Sequence, residues 1–224
     1  MGLYDLMREF AAETKIKTDS STPTPALGFS LSLFHSGLLE WGLNYDGPEE
    51  KPMLTASAGE MDTTNLSYFI VAFLPFNSVT KKEEINHVLF DVYSFFKWLD
   101  KKGIEHGLAN INLTQLIKDL CSMQERCLKI SHLLDSESGR VLEDLPEIVH
   151  TVNDVFSVVK IENDKVHLKG RREKDTVCLN LPSHILPLLK LNDSMDLVLG
   201  DTSEKWVVLE AGQVFPSIPA QKLS

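Results

Sequence analysis

Residues 80–103, TKKEEINHVLFDVYSFFKWLDKKG, carry a helix start signal, an apolar stripe and a stop signal, and the other segments are placed outward from them. Thr80 and Glu83 stand three apart, the spacing of a capping box in which each side chain satisfies an orphan backbone N–H. Ile85, Val88, Leu89, Val92, Phe96 and Leu99 recur at three- and four-residue steps and so share one face. Lys101 and Lys102 suit the negative end of the helix dipole, and Gly103 can adopt the left-handed conformation that stops a helix.

At 100° per residue, Phe90 and Trp98 fall far from that stripe, and Tyr93 lies on its shoulder. A surface helix ordinarily gives this side to charges. Two readings account for the surplus aromatics. The helix is sandwiched between two layers of its own fold, or the second face meets a partner.

The chain has 224 residues, 43% hydrophobic and 24% charged, with a formal net charge of -10 and a pI near 5.2. That suits one large domain or two small ones with a real core. Phosphate binding depends on Lys and Arg, so an acidic chain without a basic run fits non-specific nucleic-acid or anionic-membrane binding poorly. The N-terminal MGLYDLMREFAAETK lacks the long apolar core of a secretory signal, and Leu6 stands where myristoylation favours Ser or Thr. No apolar run reaches membrane-spanning length. Three cysteines in a chain this long make no disulfide framework, and a cytoplasmic location with Cys121, Cys127 and Cys178 as thiols is expected.

In chain order, residues 3–12 predict a short amphipathic helix, and residues 15–25, rich in Ser, Thr and Pro, a linker. Leu27, Phe29, Leu31 and Leu33 alternate with small or polar residues; so do Leu39, Trp41, Leu43 and Tyr45 after His35-Ser36-Gly37. Two period-two runs about a Gly-containing break predict a β-hairpin. A short strand is expected at Met53-Leu54. Residues 66–76, LSYFIVAFLPF, are apolar without a clean period, and their aromatic and β-branched content favours a third strand over a short buried helix. A second long helix begins near Asn112, which with Gln115 resembles a cap pair, and is expected to end before residues 136–139. From about residue 152, five short strands with turns between them predict a small barrel.

Two stretches resemble known families. INHVLFDVYSFFKWLDKKGI, residues 85–104, resembles a helix of the core-binding domain of tyrosine recombinases, which often carries a phrase of the form fFrfLxxkGi. The Arg, His and Tyr set of a recombinase catalytic domain has no counterpart downstream, and the activity does not carry over. VCLNLPSHILPLLKLNDSMDLVL, residues 177–199, is similar to the strand, Pro, helix, turn, strand phrase of AbrB-like swapped hairpins and of small SH3-like or PRC-type barrels. Those families usually place Gly-Asp at the turn where this chain has Asn192-Asp193-Ser194. The likeness implies a small barrel. For the AbrB-like case it also implies DNA contacts, for which Lys169, Arg171, Arg172 and Lys174 stand in a cluster interrupted by Glu173 and Asp175.

No motif identifies a reaction. Cys121, Cys127 and His132 suggest zinc, but on one helix six residues turn the second ligand about 120° from the first, and His132 lies roughly 16 Å along the axis. Zinc ligands must converge at about 2.0–2.3 Å. Neither a Gly-x-Ser-x-Gly elbow nor a phosphate-binding glycine loop is present. No metal and no cofactor is expected.

The sequence therefore predicts an α+β protein. Residues 1–25 form an N-terminal helix and linker, residues 26–140 an α+β domain with a hairpin or small sheet and two long helices, and residues 150–216 a small β-barrel. The leading function is non-enzymatic binding or regulation through a protein partner or self-association, with Phe90, Tyr93, Trp98 and Trp41 as anchors. One alternative is a nucleic-acid module using Lys165, Lys169, Arg171, Arg172 and Lys174 on the barrel. The other is an enzyme whose site is assembled from dispersed residues.

Overall fold

The computed structural model describes residues 1–47, 52–77, 82–144, 146–172 and 175–217. Helices combine with a two-strand and a five-strand sheet, in keeping with an α+β class. The chain divides into two compact units, Met1–Cys121 and Ser122–Pro219.

The first unit is mostly helical. Helix α1, Leu3–Glu13, buries Leu3, Leu6, Met7 and Phe10 along one face, as the 3–12 periodicity predicts. The expected hairpin is absent. Pro25–Leu27 form a single 3₁₀ turn and Gly28–Trp41 form helix α2. The alternating residues also contain a 3.6-residue stripe, Leu27, Leu31, Phe34 and Leu38, all fully buried. The small residues between them serve close packing rather than a solvated strand face. A Cβ on Gly37 would lie 2.8 Å from the Phe69 ring, the Ser30 hydroxyl donates to Asp91 at 2.6 Å, and Ser32 accepts the Thr24 N–H. Among the described residues of this unit the strands are β1, Tyr45–Asp46, and β2, Met53–Leu54, paired antiparallel; Met53-Leu54 was an expected strand.

The favoured strand at 66–76 is also helical: α3, Thr63–Tyr68, a π-helical turn at Phe69–Phe73, and α4, Leu74–Phe76. Its start signal is Asp62, whose carboxylate accepts the Thr64 and Asn65 N–H groups, while Asn65 accepts from the Asp62 N–H. A helix apolar on nearly every side shows no period. Helix α5, Lys82–Lys102, follows. Thr80 of the expected cap lies outside the described residues. Gly103 ends α5 with φ +69°, and the Ile104 N–H returns to the Leu99 carbonyl.

Helix α6, Leu113–Glu143, is introduced by the expected cap, with the Gln115 N–H donating to the Asn112 side chain. It continues past the serines expected to end it. Ser136 and Ser138 donate back to the carbonyls of His132 and Asp135 inside the helix, so neither breaks it. From Ser122 onward α6 belongs to the second unit.

That unit's strands are β3, His150–Glu162; β4, Lys165–Gly170; β5, Thr176–Asn180; β6, Ser194–Asp201; and β7, Trp206–Phe215. Pairing runs β4–β3–β6–β7 and β4–β5, antiparallel throughout, and β5 meets β7 in parallel at one pair, Leu179 with Trp206. The residues after Pro182 form one 3₁₀ turn, Leu186–Leu188, where a short helix was expected. Cys127, Ile130 and Leu134 of α6 enter the same apolar cluster as Phe156, Val158, Leu168, Leu179 and Leu197.

One ionic contact fixes this packing. Arg126 on α6 forks onto the fully buried Asp193 carboxylate, Nη1 to Oδ2 at 2.5 Å and Nη2 to Oδ1 at 2.8 Å. Nη1 also donates to the Leu188 carbonyl, and the Lys190 and Ser217 N–H groups donate to the Asp193 carboxylate as well. Removing one member of a buried pair leaves the other uncompensated, at a cost of about 3–5 kcal/mol. Asp193→Ala and Arg126→Met are each expected to lower the opening free energy of the β3 and β6 amides by that order in hydrogen exchange. The double variant should cost clearly less than the sum of the two; additive losses would show that the fork contributes nothing as a pair.

Candidate functional site

A cleft of about 740 Å³ in the second unit opens where β5 and β7 part. Four segments build it. The last turns of α6 present Leu133, Glu137, Arg140 and Val141 at helical spacing, and Asp144 follows directly after the helix. The β3–β4 turn contributes Asp164, residues 179–184 carry β5 into the Pro182 turn, and residues 205–208 open β7. Among the described residues a single ladder pair joins β5 to β7, and beyond it the strands diverge around the cleft.

Its floor is apolar, from Leu179, Leu181, Val207 and Val208, all buried. Its rim is charged. Glu137 and Arg140 pair at 2.5 Å, whereas Asp144, Asp164 and Lys205 are exposed and form no ion pair among the described residues. Trp206 is half-buried at the mouth, its ring edge-on to His150 with centroids 6.2 Å apart. No nucleophile–base pair is assembled here among the described residues. The Ser136 hydroxyl is committed to the His132 carbonyl, and the exposed His184 makes no hydrogen bond to Ser183. No group of three or more metal-ligating side chains occurs among the described residues.

The aromatic anchors expected from sequence are dispersed. Phe90 is 65% exposed, as its helical angle implies. Trp41 is 44% exposed, lying against Tyr68 at 4.8 Å between ring centroids, and Tyr93 is half-buried beneath the Lys97 ammonium. Trp98 is only 8% exposed and leaves the candidate surface. Helix α1 covers it: Phe10 packs edge-on at 5.8 Å and Glu13 accepts its indole N–H at 2.8 Å. For Trp98 the sandwiched-helix reading holds.

The basic set does not gather at one point. Lys169 and Arg171 border a shallow groove of about 320 Å³ with Ser157 and Ser194. Lys165 begins the same strand, roughly 13 Å away at 3.3 Å per residue. The Arg172 N–H is held by Asp154, and Lys174 lies outside the described residues.

A smaller cavity of about 380 Å³ lies in the first unit beside Tyr4, Pro25, Leu39 and His35. His35 is 2% exposed, its Nε2 has no partner among the described residues, and burial pushes its pKa down to about 4. Sequence periodicity assigned this residue to a turn. The thiol of Cys127 is pushed up to about 11, again chiefly by burial.

Two outcomes follow from these environments. Trp98→Ala is expected to cost about 3–5 kcal/mol in urea unfolding, the range for a buried aromatic, with an unchanged sedimentation mass. For His35, the unfolded chain takes up a proton near pH 6.5 and the folded unit only near pH 4, so stability falls as pH drops through that window. The full loss is about 3 kcal/mol at 1.36 kcal/mol per pKa unit. Urea midpoints at pH 7 and 5.5 should differ in the wild type and converge in His35→Gln; an equal gap in both would remove His35 as the cause.

No protein-family model matches this chain, and no curated protein or solved structure matches it.

Proposed function

We propose that this chain is a binding protein whose second unit receives a segment of another polypeptide in the cleft between β5, β7 and the end of α6. The observation that carries this reading is the single-pair join of Leu179 to Trp206, which leaves an apolar floor open between two strand edges under a charged rim. A cleft of this size falls in the range of roughly 300–1,000 Å³ that ligand sites occupy. Aromatic and arginine side chains at its mouth, Trp206 and Arg140, are the types enriched at protein contacts. The five strands are read as a small SH3-like barrel with this join as its weakest seam, and the chain as a cytoplasmic protein. An enzymatic site would call for desolvated acid–base or nucleophilic groups, and the titratable side chains on this rim are mostly exposed. A nucleic-acid surface rests on Lys169 and Arg171 alone within one groove, against a formal net charge of -10.

Selection of random twelve-residue peptides on the full-length chain tests the proposal. Binders are expected to shift the amide resonances of residues 179–181 and 206–208, and Trp206→Ala is expected to weaken them at least tenfold. Recovery of no binder above background, or shifts confined to other residues, would overturn it.

A further inference from the structure

The two edges of β7 are treated differently. Toward β6 it is paired along almost its whole length, from Trp206 opposite Asp201 to Phe215 opposite Ser194. On the other side, the ladder holds one pair among the described residues, at Trp206. At the far end of the strand the Val214 N–H donates to the Ser131 hydroxyl at 3.0 Å, so a side chain of α6 stands where a neighbouring strand would. Between these two points the β7 edge has the alternating N–H and C=O groups of any strand and no ladder partner among the described residues. An edge of this kind is a template for an added strand.

The rim supplies the second element. Among its described charges, three carboxylates, Glu137, Asp144 and Asp164, stand against two cations, Arg140 and Lys205. Arg140 is already engaged by Glu137. The surplus is negative and lies with Asp164 on the β3–β4 turn and with Asp144 just after α6, although Asp144 also acts electrostatically on Arg140.

Resting on the peptide-binding reading above, we infer that the occupant enters as an extended strand hydrogen-bonded to the β7 edge beyond Trp206, and that it carries a Lys or Arg toward Asp144 and Asp164. Backbone pairing supplies the docking geometry and the basic side chain the selectivity. Alternate side chains of the occupant point to the apolar floor, and the intervening ones to solvent.

The test uses the tightest selected peptide, synthesised with one backbone N-methyl group at a time. Strand addition is expected to give a period-two pattern, with affinity falling tenfold or more at alternate positions and little between them. Uniform tolerance of N-methylation, with amide shifts still at residues 179–181 and 206–208, would overturn strand addition while leaving peptide binding intact. Failure of every peptide to bind would remove the underlying reading itself. For the charge, Asp144→Asn with Asp164→Asn replaces two exposed side chains and leaves the core untouched. Affinity for a peptide bearing Lys should drop at least threefold, and that for its Lys→Gln counterpart should not change. Equal effects on both peptides would overturn the basic-residue assignment.

Discussion

A guanidinium–carboxylate fork, Arg126 on Asp193, is the constraint on which the second unit depends. A carboxylate with no solvent exposure is tolerated only when its lone pairs are filled, and here two guanidinium N–H groups and the backbone N–H groups of Lys190 and Ser217 fill them. The effect reaches the sheet through the backbone of the same turn. The Asp193 carbonyl accepts the Val158 N–H and the Asn192 N–H donates to the Val158 carbonyl, at the place where the register between β3 and β4 shifts. Asn192 holds φ +65°, a conformation Asn tolerates better than most residues. The fork thus fixes a helix, a turn and a strand irregularity together.

With α6 secured at Arg126, its later turns are carried to the strand edges in a defined phase. Cys127, Ile130 and Leu134 face the apolar cluster, Ser131 meets β7, and Leu133, Glu137 and Arg140 fall on the side that borders the cleft. One helix face closes a core and its shoulder shapes an opening, and the 3.6-residue period separates the two roles. β5 ends at Asn180, one residue beyond its single pair with β7, and the chain passes into the Pro182 turn while β7 runs on to Phe215.

Much of the architecture was written in local pattern. Helices α1 and α5, the start of α6, the Gly103 stop and all five strands from β3 to β7 had periodicity or cap residues that named them. Residues 27–45 misled because Leu27, Leu31, Phe34 and Leu38 satisfy a helical stripe while Leu27, Phe29, Leu31 and Leu33 satisfy alternation. Only neighbours such as Phe69 against Gly37 and Asp91 beneath Ser30 decide between them. Residues 66–75 are mostly buried, which erases the period, although the Asp62–Asn65 cap was present to be read. The site was far less legible. Arg126 and Asp193 lie 67 residues apart, and the cleft draws on four segments, so neither has a spacing rule. Trp98 showed its angle on α5 but not the helix that covers it.

Cys127 has a kinetic meaning. Its sulfur is buried beneath α6 and kept protonated well above neutral pH, so an alkylating reagent meets neither an accessible atom nor a thiolate while the helix is seated. Modification there must wait for α6 to lift from the strands. The residue next to Arg126 is in effect a clock for that separation, and its labelling rate counts excursions too brief and too rare to alter the average structure.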